Sequence, residues 1–121
     1  MSSSRYRLIR ATFHTVDGLK VLWKNEQAFR QEIYLCVVLI PACLMLHISD
    51  LLKLFLVLLL LFLVVVEIIN SALEAVVDRI SLENHVQSKI AKDMGSAAVG
   101  IAIIMNIIAW VYAIYQHVSL S

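Results

Sequence analysis

Three long segments that almost lack charged residues dominate this sequence. Residues 33–49 and 94–121 contain no Asp, Glu, Lys or Arg, and residues 51–66 contain one, Lys53. A helix needs about 20 apolar residues to cross the hydrocarbon core of a bilayer. With 61% hydrophobic residues in a chain of 121, a water-soluble domain could not bury its apolar excess. The composition therefore excludes a soluble enzyme domain and a disordered chain, and it predicts an all-α integral membrane protein.

The pattern predicts a single membrane domain, residues 1–121, with four helical segments. These are an amphipathic surface helix (5–24), a first span (29–48), a second span extended into the cytoplasm (51–79) and a third span (94–117). The surface helix has apolar residues on one side and basic residues on the other, which suits a membrane interface. We expect a tight hairpin at residues 47–50, a polar connector at residues 81–93, and Lys53 reaching back to the interface.

The basic residues are distributed unevenly along the chain. Nine of the ten Lys and Arg residues lie before the first uncharged apolar run (33–49) or within residues 79–92, at the polar connector. By the positive-inside rule, the N-terminus is predicted to be cytoplasmic, whereas the hairpin and the C-terminus lie outside. Basic residues interleaved with stacking aromatics are lacking, so no nucleic-acid partner is expected.

One helix face carries the candidate chemistry. Glu67, Asn70, Glu74 and Asp78 are spaced 3, 4 and 4 apart, which places them within about 80° of arc on one side of a helix. Glu67 is predicted at the inner edge of the membrane, and the other residues continue into the cytoplasm. Ionisable groups at membrane depth are costly, which favours a functional role.

Three interpretations of this stripe remain open from the residues alone. It could pair with basic residues in an oligomer contact, relay protons or cations in a small transporter, or bind a metal and a nucleotide. Carboxylates suit Mg²⁺, which proteins hold through one or two carboxylates plus substrate phosphates, and Glu26 could supply a second ligand. Residues 83–85 (Glu-Asn-His) and 92–93 (Lys-Asp) add polar groups on the same side. A P-loop and the protein-kinase signatures are absent from the sequence, so side chains and metal would hold the phosphates.

Three motifs add a family resemblance. Residues 25–32 (NEQAFRQE), 67–79 (EIINSALEAVVDR) and 91–98 (AKDMGSAA) resemble, in the same order, the prokaryotic diacylglycerol kinase family. That family implies a homotrimeric helical bundle in the bacterial inner membrane, with active sites shared between subunits. The implied reaction transfers the γ-phosphate of MgATP to the hydroxyl of diacylglycerol, giving phosphatidic acid.

The resemblance also implies roles for individual residues. Glu67 would be the general base, supported by the catalytic positions Asn70 and Asp78, and Glu26 and Glu74 would hold Mg²⁺ on ATP. Further nucleotide contacts would come from Arg7, His14 (a Tyr in relatives), Glu83, Asn84, His85, Lys92 and Asp93. The lipid would contact Arg7, Ala28, Phe29, Arg30, Gln31, Glu32, Lys53, Glu67, Ser96 and Trp110.

Other functions remain as alternatives. A kinase for undecaprenol would use the same chemistry, although residues 25–32 and the long polar connector are closer to the diacylglycerol branch. From other classes, the competing functions are a small ion transporter and a structural membrane subunit.

Overall fold

The computed structural model describes residues 3–80 and 85–121, and this part of the chain is helical almost throughout. The helices are α1 (Ser3–Asn25), α2 (Gln27–Leu44), α3 (Asp50–Ile80) and α4 (Val86–Leu120). Three of them, α2, α3 and α4, are long and apolar enough to cross a membrane. The predicted all-α membrane architecture is confirmed. Apolar residues of α1, such as Leu8 and Phe13, are exposed, as expected for a helix lying in the interface.

Two helix boundaries differ from the prediction. Helix α2 ends at Leu44, four residues before the predicted end of the first span at residue 48. Helix α4 begins at Val86, inside the segment predicted as a polar connector, and the His85 Nδ1 caps it by accepting from the Gln87 N–H at 3.0 Å. Residues 86–93 contain no Gly or Pro, and a Lys89–Asp93 pair at 2.7 Å supports the first turns. Polarity alone therefore does not end a helix here.

The joint between α1 and α2 is a single extended residue, Glu26, with φ −112° and ψ 105°. The Arg30 Nη1 donates to the carbonyl oxygens of Trp23 at 2.6 Å and Lys24 at 3.2 Å. These carbonyls belong to the last turn of α1, where they lack helical partners. Arg30 therefore fixes the angle at which α1 leaves the membrane-crossing part of the chain.

Helices α2, α3 and α4 enclose a narrow apolar core. One cluster contains Phe29, Cys36, Leu60 and Val64, and a second contains Cys43, Ile48, Leu56 and Ala113. Trp110 packs against both clusters. Helix α4 faces α3 with the small residues Ala102 and Ala113, which are almost completely buried. Their small side chains allow the two helices to approach closely.

The end of the bundle remote from Glu67 is closed by polar contacts. The backbone N–H of His47 donates to the His117 Nδ1 at 2.8 Å, and that of Ser49 donates to the Gln116 Oε1 at 3.3 Å. The Lys53 Nζ donates to the Leu44 carbonyl at 2.9 Å and so caps α2. These bonds tie the α2–α3 hairpin to the last turns of α4.

Candidate active site

The acidic stripe of α3 passes from a buried to an exposed environment. Glu67 is only 5% exposed, Asn70 and Glu74 are half-buried, and Asp78 is exposed. The Ser71 Oγ donates to the Glu67 Oε1 at 3.3 Å, and the Asn70 Nδ2 donates to the Glu74 Oε1 at 3.4 Å. Both pairs are one turn apart, so the helix itself orients the two carboxylates.

Glu26 joins this stripe from the other side of the bundle. Glu26 is the extended residue between α1 and α2. Its carboxylate interacts electrostatically with that of Glu67, and the Glu74 carboxylate does so too. Glu26 and Glu74, both predicted to bind metal, therefore lie within electrostatic range of Glu67 in one subunit. Their negative charges repel unless a cation lies between them.

The donor set fits a magnesium–nucleotide site rather than a closed metal cage. Among residues 3–80 and 85–121, no group of three or more His, Cys, Asp or Glu side chains could hold an ion on its own. Mg²⁺ commonly keeps several waters and takes one or two carboxylates together with substrate phosphates. Glu26 and Glu74 are suitable oxygen donors for such an ion, and the half-buried position of each leaves room for phosphates.

Helix α4 adds charged groups on the water side of the stripe. The Lys92 Nζ forms an ion pair with the Asp78 Oδ1 at 2.6 Å, which links α4 to α3. Asp93 pairs with Lys89 on its own helix at 2.7 Å. All four side chains stay well exposed, so Lys92 and Asp93 are accessible to a ligand from water.

Gly95 is a site residue that the sequence reasoning missed. A Cβ added at Gly95 would collide with the Asn70 Oδ1 and come within 3.2 Å of its Cγ. The missing side chain thus lets α4 pass beside Asn70, whose Oδ1 is buried without a hydrogen-bond partner. The signal was present in the small residues of the motif at 91–98, since such residues mark close helix contacts.

A groove of about 580 Å³ lies between α2, α3 and α4 and contains Glu67. We call it the interhelical groove. Its lining is mostly apolar: Ala28, Gln31, Glu32, Leu35, Leu39, Leu60, Leu63, Glu67, Val99, Ile103, Asn106, Ile107 and Trp110. The structure therefore brings Ala28, Gln31, Glu32 and Trp110, predicted as lipid contacts, into one surface with Glu67. An apolar groove with a few polar groups is typical of a small-molecule site.

Several other predicted site residues lie outside the interhelical groove. Arg7 and His14 are exposed on α1, which packs mainly against α2. Phe29 belongs to the core and Arg30 binds the end of α1, whereas Ser96 is exposed on α4.

The remaining predicted positions divide between the two ends of the bundle. Lys53 is 14 residues before Glu67, which is about 21 Å along α3, at the hairpin end. His85 caps α4, and Glu83 and Asn84 lie outside the described residues.

Fold and site together define a class: a small all-helical membrane protein with a carboxylate site where an apolar groove meets water. Residues 13–114 match the family described as prokaryotic diacylglycerol kinase, and the chain belongs to that family. It is 44% identical to a diacylglycerol kinase of Escherichia coli K12 over 112 residues, 92% of this chain and 91% of the relative. A diacylglycerol kinase of Pseudomonas aeruginosa is 42% identical over 104 residues (86% and 85%), and one of Helicobacter pylori 26695 is 44% identical over 105 residues (86% and 81%).

Proposed function

We propose that this chain is an ATP-dependent diacylglycerol kinase that transfers the γ-phosphate of ATP to the hydroxyl of diacylglycerol, giving phosphatidic acid. The observation that carries this proposal is the position of Glu67. Its buried carboxylate lines the interhelical groove and interacts with Glu26 and Glu74. A lipid held in the groove and a nucleotide held in water can therefore meet at one side chain. Family membership and the names of the relatives support the same activity.

Glu67 acts as the general base. The acyl chains occupy the apolar part of the groove, and the hydroxyl of the lipid lies next to the Glu67 carboxylate. Glu67 accepts the hydroxyl proton while the hydroxyl oxygen attacks the γ-phosphorus, and ADP leaves. The Ser71 hydroxyl, 3.3 Å from Oε1, holds the carboxylate in this orientation.

The nucleotide binds on the water-exposed side of the site. Glu26 and Glu74 hold Mg²⁺, which when bound neutralises charge on the phosphates, and the Asn70 amide orients Glu74. Lys92, kept in place by Asp78, supplies a cation for the phosphates. Asp93 and the positions implied by resemblance (Arg7, His14, Glu83, Asn84 and His85) complete the nucleotide contacts.

Membrane placement and assembly follow from charge and exposed surface. The distribution of Lys and Arg supports a cytoplasmic N-terminus and a periplasmic C-terminus in the bacterial inner membrane. Many large apolar side chains of α3 and α4, such as Phe55 and Ile107, are exposed in the single chain. Lipid or neighbouring subunits must cover such a surface, in agreement with a homotrimer whose subunits share their sites.

Glu67→Gln tests the proposal. The variant keeps the shape of the side chain but cannot accept the proton, so phosphorylation of diacylglycerol by purified protein with MgATP in mixed micelles should fall about 10²–10⁴-fold. Asp50→Asn, the same change at the other end of α3, is the matched control and should leave activity unchanged. Full activity in Glu67→Gln would contradict the general-base role. A wild-type enzyme that phosphorylates only undecaprenol would contradict the assignment of the lipid.

A further inference from the structure

A single residue joins α1 to α2, and the same residue is a proposed metal ligand. Glu26 has extended torsion angles between the two helices. Its backbone N–H donates to the Leu22 carbonyl at 2.9 Å, and its carbonyl accepts from the Arg30 N–H at 3.3 Å. These bonds attach the backbone of Glu26 to each helix separately. The angle between α1 and α2 therefore depends on contacts that cross the joint.

The guanidinium of Arg30 supplies a polar contact across this joint. From the first turn of α2, its Nη1 donates to the carbonyl oxygens of Trp23 at 2.6 Å and Lys24 at 3.2 Å. A cation at the last turn of a helix meets both unpaired carbonyls and the negative end of the helix dipole. The rings of Trp23 and Tyr34, 5.6 Å apart and edge to face, add an aromatic contact. Charge-assisted hydrogen bonds are about twice as strong as neutral ones, so Arg30 is a firm restraint on the helix angle.

The Glu26 side chain takes no part in holding the joint. A residue at the N-cap of a helix commonly accepts a hydrogen bond from the first turn, but the Glu26 side chain makes no such bond at the start of α2. Its carboxylate is half-buried and interacts with that of Glu67. The backbone of the joint therefore sets the direction of this carboxylate. Because the Cβ of Glu26 turns with its ψ angle, a change in the angle between α1 and α2 would redirect the carboxylate.

We propose that Arg30 is a positioning residue for the metal site, since by locking α1 against α2 it holds the Glu26 carboxylate where it can share a cation with Glu74. This inference rests on the proposed function, in which Glu26 and Glu74 hold Mg²⁺. Arg30 acts through the joint and contacts neither substrate, which differs from the lipid contact that the family resemblance implies for it. Loss of Arg30 therefore weakens the binding of a metal–nucleotide complex and leaves the binding of the lipid unchanged.

The test compares Arg30→Met, which keeps a long side chain but has no donor, with Lys24→Met, which removes a positive charge at the same joint. The measured quantity is the dissociation constant for Mn²⁺ with a non-hydrolysable ATP analogue, obtained from water proton relaxation without lipid. Groups that orient a metal ligand typically contribute about 10- to 100-fold to metal affinity, so Arg30→Met should raise this constant about tenfold. Arg30→Lys keeps the charge but not the planar guanidinium and should raise it only about threefold. Lys24→Met should bind as wild type does.

A double-variant cycle shows whether Arg30 acts through Glu26. Glu26→Gln should raise the same dissociation constant about tenfold, as expected for the loss of one anionic ligand. Because Arg30→Met misplaces that same ligand, adding it to Glu26→Gln should cause no further loss. The KM of Arg30→Met for diacylglycerol should stay within about twofold of wild type.

Several results would overturn the inference. Additive effects of the two substitutions would mean that Arg30 contacts the nucleotide itself, and a raised KM for diacylglycerol with unchanged Mn²⁺ binding would mean that it contacts the lipid. Normal Mn²⁺ binding by Arg30→Met or by Glu26→Gln would also contradict it. If Arg30→Met does not fold, Arg30→Lys completes the same cycle. The binding measurement needs no lipid, so a wild type that binds Mn²⁺ and the analogue but fails to phosphorylate diacylglycerol would refute the proposed function separately.

Discussion

Replacing Gly95 by Ala adds one methyl group at the point where α4 passes the Asn70 side chain. The new Cβ would overlap the Asn70 Oδ1, lie 3.2 Å from its Cγ and 3.5 Å from the Leu73 Cδ2. Overpacking of this kind costs about 1–3 kcal/mol. The same substitution gains about 1 kcal/mol because Ala is the better helix former. We therefore expect a net loss of stability of at most about 2 kcal/mol.

The effect on activity should be larger than the effect on stability. To admit the methyl group, Asn70 must rotate away, and its hydrogen bond to the Glu74 Oε1 is then lost. Misplacement of a catalytic group by about 1 Å can cost about 10²-fold in rate. We expect kcat for diacylglycerol phosphorylation at saturating MgATP to fall about 10- to 100-fold, with the thermal unfolding midpoint lowered by no more than about 10 °C.

Gly100→Ala provides the matched control on the same helix. A Cβ at Gly100 meets nothing within 4 Å, so this variant should gain slightly in stability and keep full activity. Measuring both variants in the same micelles removes any general effect of Ala in α4. If Gly95→Ala is as active as Gly100→Ala, the close approach does not position Asn70, and the reasoning is refuted.

Three further predictions concern other parts of the molecule. Glu74→Gln should raise the Mg²⁺ concentration needed for half-maximal activity about tenfold or more, since one anionic ligand is lost; an unchanged Mg²⁺ titration would exclude Glu74 as a ligand. Lys92→Met should raise the KM for MgATP about tenfold. The unfolding midpoint should not move, because the pair that Lys92 forms with Asp78 is exposed and such pairs add little stability. A loss of stability with an unchanged KM would instead assign the pair a structural role. His117→Ala removes the acceptor of the His47 N–H and should cost about 1 kcal/mol of unfolding free energy with kinase activity preserved, whereas His117→Asn, which keeps an acceptor, should retain part of that stability.

The sequence predicts the helices and the acidic stripe because both depend on local periodicity. Long apolar runs identify the spans, and the 3, 4 and 4 spacing from Glu67 to Asp78 fixes one face of α3. The sequence does not predict the start of α4, because the charges within residues 86–93 are also typical of a polar connector. Helix propensity and the Lys89–Asp93 pair override that polarity.

Contacts between helices could not be derived from the sequence alone. The pairing of Lys92 with Asp78, the collision that excludes a side chain at Gly95, and the interhelical groove all depend on how α3 and α4 cross. The approach of Glu26 to Glu67 depends on one extended residue between α1 and α2. Hydrophobic periodicity specifies which face of a helix is buried, but neighbouring helices decide what that face touches.

The lengths of α3 and α4 explain why so small a chain can bring a lipid and a nucleotide together. With 31 and 35 residues, these helices are about 46 and 52 Å long, whereas the hydrocarbon core is about 30 Å thick. The hairpin is tied to the last turns of α4 at one end, so the excess length projects from the other. That projection begins near Asn70 and carries Glu74, Asp78 and Lys92. Glu67 then lies at the boundary, where one carboxylate can face the groove on one side and the water-exposed stripe on the other.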